Sequence, residues 1–172
     1  MTFRSLLLTA TLLLSTMAHS APATVPFVDL ERYMGTWYEI EAIPKVFQFG
    51  CTSTTAEYSL QKNGTVAVGN SCNLFGFKGP HYGVTGEAKV VDADTNSKLS
   101  VTFFKLFTGD YWIFDLADDY SYALVGSPDF DSLWILSRTR TLNESTVDML
   151  KAKARELGFD VSRLTVSKQP AE

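Results

Sequence analysis

Between Thr36 and Arg138 the chain presents eight short runs rich in β-branched and aromatic residues, and no helical stretch interrupts them. The runs are Thr36–Ala42, Ser53–Leu60, Thr65–Asn73, Gly83–Val91, Leu99–Phe104, Tyr111–Leu116, Tyr122–Val125 and Leu133–Arg138. Most are bounded by Gly, Pro, Asn or Asp, residues that end strands. Asn63-Gly64 marks a tight hairpin between the second and third, and Asp92–Lys98 is a polar turn between the fourth and fifth. With connections this short, neighbours in sequence pair antiparallel, in up-and-down order. Eight such strands with no edge-protecting device are expected to close on themselves. The predicted fold class is all-β: an eight-stranded antiparallel up-and-down β-barrel, wide enough for one small ligand.

A single helix is expected outside this barrel, after the last strand. Asn143 and Ser145 offer N-caps, and Glu144 and Asp148 suit the positive end of the helix dipole. Val147, Leu150, Ala154 and Leu157 make one apolar stripe, with Lys151, Lys153, Arg155 and Glu156 on a charged outer face, and Gly158 ends the helix. A last short strand is predicted at Leu164–Val166.

The first 20 residues read as a secretory signal peptide. Arg4 supplies the positive start, Leu6–Leu14 the short apolar run, and Ala18-His19-Ser20 the small residues before cleavage ahead of Ala21. No cysteine lies near that point, so no lipid anchor is expected. Residues 21–172 then form a single domain with 14 basic and 19 acidic residues, a net charge near −5. No basic block remains for nucleic acid. Cys51 and Cys72, an even pair in an exported chain, read most simply as one disulfide. A catalytic thiol would have to rest on His81, the one histidine left after cleavage.

Three blocks carry a resemblance: GTWYEIEAIP (Gly35–Pro44), DDYSYALVGSPD (Asp118–Asp129) and LWILSRTRTL (Leu133–Leu142). In order and spacing they resemble the marker blocks of the lipocalins, most of all the bacterial lipocalins and apolipoprotein D. The resemblance implies that Gly35, Trp37, Asp119, Tyr120 and Arg138 gather at the closed base of a cup, the guanidinium lying over the indole. It also turns Tyr58 inward, with Ala56 and Leu60 on its face. Strand parity from Arg138 aims Leu136 and Trp134 inward, and matching parity on the third strand selects Asn70 and Val68. Those six (Tyr58, Asn70, Trp134, Leu136, Ala56, Val68) are the candidate ligand-binding residues of the calyx. Glu39 and Glu41 share parity with Trp37, which allows an inward orientation, but they lack an evident partner and isolated glutamates in strands more often stand at the rim or surface.

If Trp37 marks the base, alternate loops ring the mouth, and each carries phenylalanine. Pro44–Gly50 holds Val46, Phe47 and Phe49; Leu74–His81 holds Phe75 and Phe77; Lys105–Asp110 holds Leu106 and Phe107; Ser127–Asp131 holds Phe130. The base turns are polar apart from Tyr120 and Ala117. An apolar rim meets a lipid tail, a membrane surface or a second copy of the chain, unless its side chains fold inward and close the cup. Lys45, Lys78 and Lys105 beside it suit an anionic headgroup. Asn63-Gly64-Thr65 and Asn143-Glu144-Ser145 match the glycosylation sequon but serve as turn and cap.

The expected function is a non-enzymatic carrier of a small hydrophobic ligand, with no cofactor and no metal. The resemblance implies a fatty acid or lysophospholipid, and a role in lipid storage or transport that maintains membranes under stress. The chain is expected to be periplasmic or secreted, peripheral to the outer membrane at most, as a monomer or homodimer. The alternatives are an enzyme acting on a bound lipid, and a filled barrel that binds a partner through its mouth loops.

Overall fold

Hairpin chemistry sets the order of the sheet. In the computed structural model, which describes residues 21–171, Gly64 takes φ +82° and the Asn63 side chain accepts from the Thr65 N–H, turning β2 (Cys51–Leu60) into β3 (Val66–Leu74). The stretch read as a signal peptide lies outside the described residues. The wall is completed by β1 (Gly35–Ala42), β4 (His81–Val90), β5 (Lys98–Phe103), β6 (Phe107–Leu116), β7 (Tyr122–Gly126) and β8 (Leu133–Ser137). Each strand pairs antiparallel with its neighbour in sequence, and β1 joins both β2 and β8, closing the barrel. Among the described residues no helix is long and apolar enough to cross a membrane.

Two apolar cores follow from the two faces of this wall. Inside, at the base, Trp37, Val66, Ile113 and Val125 pack with Tyr33 and Tyr58. Outside, Ile43, Phe114, Leu124, Leu133 and Ile135 receive Val147, Leu150 and Ala154 of the helix α2 (Glu144–Leu157). Gly158 ends α2 in the left-handed region at φ +106°, its N–H donating back to the last turn. Asn143 takes the N-cap position without a side-chain capping bond. β9 (Thr165–Val166) pairs with β1 near the mouth.

Bulges explain where parity fails. The β1–β8 register shifts between Glu39 and Glu41, so Ile40 turns to the outer core and Glu41 faces outward. There it pairs with Lys151 of α2 at 2.6 Å, which also takes Lys151 off the solvated face. A second shift lies between Thr52 and Thr55, with Ser53 at φ +56°. That extra residue lets Cys51 meet Cys72 although Cys51 is out of step with Tyr58, and the two are bridged. Leu60, expected inward, sits past the end of the core and is 41% exposed.

The base is closed by a turn of helix with no counterpart among the eight runs, α1 (Leu30–Tyr33), capped by Asp29. Its carbonyls at Arg32 and Tyr33 accept from Arg138 Nη2 at 2.9 and 3.1 Å, and Thr36 accepts from Nη1 at 2.9 Å. The guanidinium carbon sits 3.8 Å from the Trp37 ring centre. Gly35 holds φ +91° beneath it. Tyr120 takes the Asp29 N–H on its hydroxyl, and Asp119 caps Ser121.

Candidate functional site: an open calyx

Above this floor the barrel is hollow. A cavity of about 550 Å³ opens between the strands, within the range of small-molecule sites. Tyr58, Asn70, Trp134, Leu136, Ala56 and Val68 all line it. Tyr82, Val84, Val101, Phe103, Phe107 and Tyr111 complete the wall from β4, β5 and β6. No marker block falls on those three strands, so nothing in the sequence anchored which face pointed in.

The cavity floor is a cluster of phenols. Tyr33 and Tyr111 share a hydrogen bond of 2.8 Å, and Tyr58 donates to Tyr111 at 3.1 Å. Burial pushes all three hydroxyls up, Tyr58 to about 12. They stay neutral at physiological pH and offer hydrogen bonds, not charge.

One buried carboxylate faces this space. Glu39 accepts from Gln48 Nε2 at 2.8 Å and from the Ser167 hydroxyl, and it lines the cavity. Burial raises its pKa, and those two hydrogen bonds only partly offset the rise. The folded state therefore holds the Glu39 proton more tightly than the unfolded chain does. This contribution to stability is greatest at low pH and is lost as pH rises through the folded value. Glu39→Gln flattens the fall in urea midpoint between about pH 4 and about pH 8.

The mouth is apolar. Val46, Phe47, Phe49, Phe75, Leu106 and Phe107 are each between 65% and 95% exposed, and Phe77 is 46% exposed. Phe49 and Phe75 meet edge to face. Phe104, assigned to a strand by its neighbours, instead turns at φ +52° and joins the rim at 68% exposure. Phe107 belongs to β6, which starts four residues earlier than the sequence suggested. Phe130 leaves the rim: its ring packs edge to face on Phe159, centroids 5.1 Å apart, in the outer core. Its positive φ of 64° turns the side chain down the outer wall.

Both cysteines are joined, and His81 is exposed and not among the residues lining the cavity. Among the described residues no cluster of His, Cys, Asp or Glu is placed to hold a metal ion.

A closed eight-stranded barrel with a plugged base, an open apolar interior and one outer helix is the calyx architecture. Residues 28–169 match the model of the lipocalin-like domain, and the chain belongs to the lipocalin family. It is 40% identical over 146 residues to the outer membrane lipoprotein Blc of Escherichia coli, covering 83% of this chain and 80% of that one. Apolipoprotein D of Macaca fascicularis is 37% identical over 159 residues, 87% of this chain and 82% of its own. Insecticyanin of the tobacco hornworm Manduca sexta shares the fold, with a TM-score of 0.66 at 22% identity, over 87% of this chain and 86% of that one.

Proposed function

We propose that this lipocalin is an exported, non-enzymatic carrier that holds a single-chain lipid, of the fatty acid or lysophospholipid kind, with its chain in the calyx. The observation that carries this reading is the apolar cavity of about 550 Å³, open at the mouth and walled by Tyr58, Val68, Trp134 and Leu136. Burying an acyl chain there removes apolar surface from water on both partners, at roughly 25 cal/mol per Å². Storage or transport of lipids for membrane maintenance under stress fits such a cargo, and a periplasmic or secreted location fits an exported carrier. Native mass spectrometry of detergent-free protein tests it. The expected result is a co-purifying single-chain lipid, lost in Ala56→Trp, whose indole occupies the cavity, while circular dichroism stays that of a barrel. Protein that is empty and takes up no added lipid overturns the reading.

The rim favours a membrane surface as the place where cargo is exchanged. Val46, Phe47, Phe49, Phe104, Leu106 and Phe107 stand exposed at one end, and Lys78 and Lys105 flank them in sequence, while the Lys45 ammonium donates to the Asp131 carbonyl at 2.7 Å. Exposed aromatics with cations suit an anionic bilayer. Vesicles containing phosphatidylglycerol are expected to co-sediment the protein, and Phe49→Ser with Phe107→Ser to weaken this about tenfold or more. A concentration-dependent doubling of mass that the same pair abolishes, with no vesicle binding, would assign the rim to a homodimer instead.

A further inference from the structure

The barrel wall changes composition on its way to the mouth. β1 and β2 pair with each other only from Gly35 to Tyr38, ending opposite Thr55. Beyond that point the place beside β1 belongs to the end of the chain. β9 pairs with Glu41 and Ala42, the Ser167 N–H donates to the Ile40 carbonyl, and the Ser53 N–H donates to the Lys168 carbonyl. Gln169 Nε2 ties both sides together, donating to the carbonyls of Glu39 and Thr54 at 2.9 Å each. Outside this stave lies a crevice of about 620 Å³, between the tail, the first mouth loop and Phe75–Phe77. Glu39, Gln48, Cys51 and Thr54 line both the crevice and the calyx, so they form the partition between the two.

The partition has too many acceptors. Glu39 is 7% exposed, and among the described residues no cation pairs with it. Gln48 Oε1 and Gln169 Oε1 are buried with no donor. Lys168 is the one cation lining the crevice; it is exposed and unpaired with Glu39. The calyx itself is lined by two carboxylates, Glu39 and Asp110, and by no Lys, Arg or His. A buried carboxylate without a cation, flanked by unsatisfied carbonyl oxygens, is costly to maintain and is relieved by a charged hydrogen-bond donor.

We infer that this partition is a recognition site for a protonated primary amine carried on an apolar chain, the chain filling the calyx and the ammonium donating to Glu39 and Gln48. The inference rests on the carrier reading and narrows its cargo to a single-chain lipid that ends in a primary amine, which a fatty acid does not. An ammonium brings both charge and N–H donors, whereas the rim lysines favour anions only at the outer edge of the mouth. The site therefore selects for a donor as well as for a charge.

Titration calorimetry below the micelle concentration, at neutral pH, separates the terms with three probes: dodecylamine, dodecyltrimethylammonium and dodecanoate. Dodecylamine is expected to bind about tenfold or more tightly than the other two, the trimethyl probe having the charge without the donors. Glu39→Gln is expected to bring the amine within about twofold of the trimethyl probe, and Gln48→Leu to remove part of the advantage. The wild-type comparison needs no variant to fold. Equal binding of amine and trimethyl probes by the wild type overturns the inference while leaving the carrier reading intact. Failure of all three chains to bind overturns both.

Discussion

Replacing Trp37 with alanine is expected to lower the unfolding free energy by about 3–5 kcal/mol, the range for truncating a large buried aromatic. Trp37 is 0% exposed, donates from Nε1 to the Tyr33 carbonyl at 2.9 Å, and carries the Arg138 guanidinium on its face. The loss therefore combines a cavity, one of the two donors to the Tyr33 carbonyl and a cation without its aromatic partner. Arg138→Leu is expected to cost less through packing and more through the carbonyls of Arg32 and Thr36, which lose the guanidinium donor, while Tyr33 keeps the Trp37 indole N–H. The two substitutions share the ring–guanidinium contact and the Tyr33 carbonyl, so their effects should differ from additivity by about 0.5–3 kcal/mol. Urea unfolding of the two single variants and the double variant, with unchanged slopes, measures this. Additive losses would mean that the guanidinium plugs the base without help from the indole.

Removing the disulfide as Cys51→Ser with Cys72→Ser should have the second largest effect. The bridge closes 21 residues of sequence separation, which in the chain-entropy model is about 3 kcal/mol. For a domain of this size that corresponds to a fall in melting temperature of roughly 6–12 °C. The bridge sits at the mouth end of the β2–β3 hairpin, beside the Ser53 bulge and below Phe49 and Phe75. Differential scanning calorimetry with and without reductant reads the loss, and wild-type protein under reductant should follow the variant. A melting temperature that stays in place would mean that the hairpin register alone holds this end shut.

Much of the architecture was legible because its signals are local. Alternation, turn residues and short connections specify eight antiparallel strands wherever they are read, and closure follows from leaving no edge. The six calyx residues were reached by parity counted outward from Arg138 and Tyr58, which works as long as no residue is inserted. Parity failed where a bulge intervened: Ile40 sends Glu41 to α2, and Ser53 lets Cys51 reach its partner. It was silent on β4 to β6, where Tyr82, Phe103 and Tyr111 line the cavity with no marker to anchor their face. The rim was legible as composition, since four loops rich in phenylalanine at one end stand out against polar turns at the other. Phe130 shows the limit of composition, because only its backbone angle and the nearby Phe159 ring decide that it packs outside.

By itself the sequence determined the order of the strands, the pairing of the two cysteines, the aromatic–cation plug and the apolar character of the mouth. The strand order and the cysteine pair depend on residue type and near-neighbour spacing, whereas the plug, and with it which end is the mouth, rest on the resemblance carried by the three blocks. The tertiary structure alone decided that Glu39 stays buried without a cation and that the tail from Thr165 to Gln169 stands in the wall between β1 and β2. Those facts depend on which distant segments meet, through contacts more than 120 residues apart in sequence between Glu39 and Ser167. No local pattern encodes such a meeting, because the free energy that selects it is released only when the barrel has closed and the tail has a gap to fill.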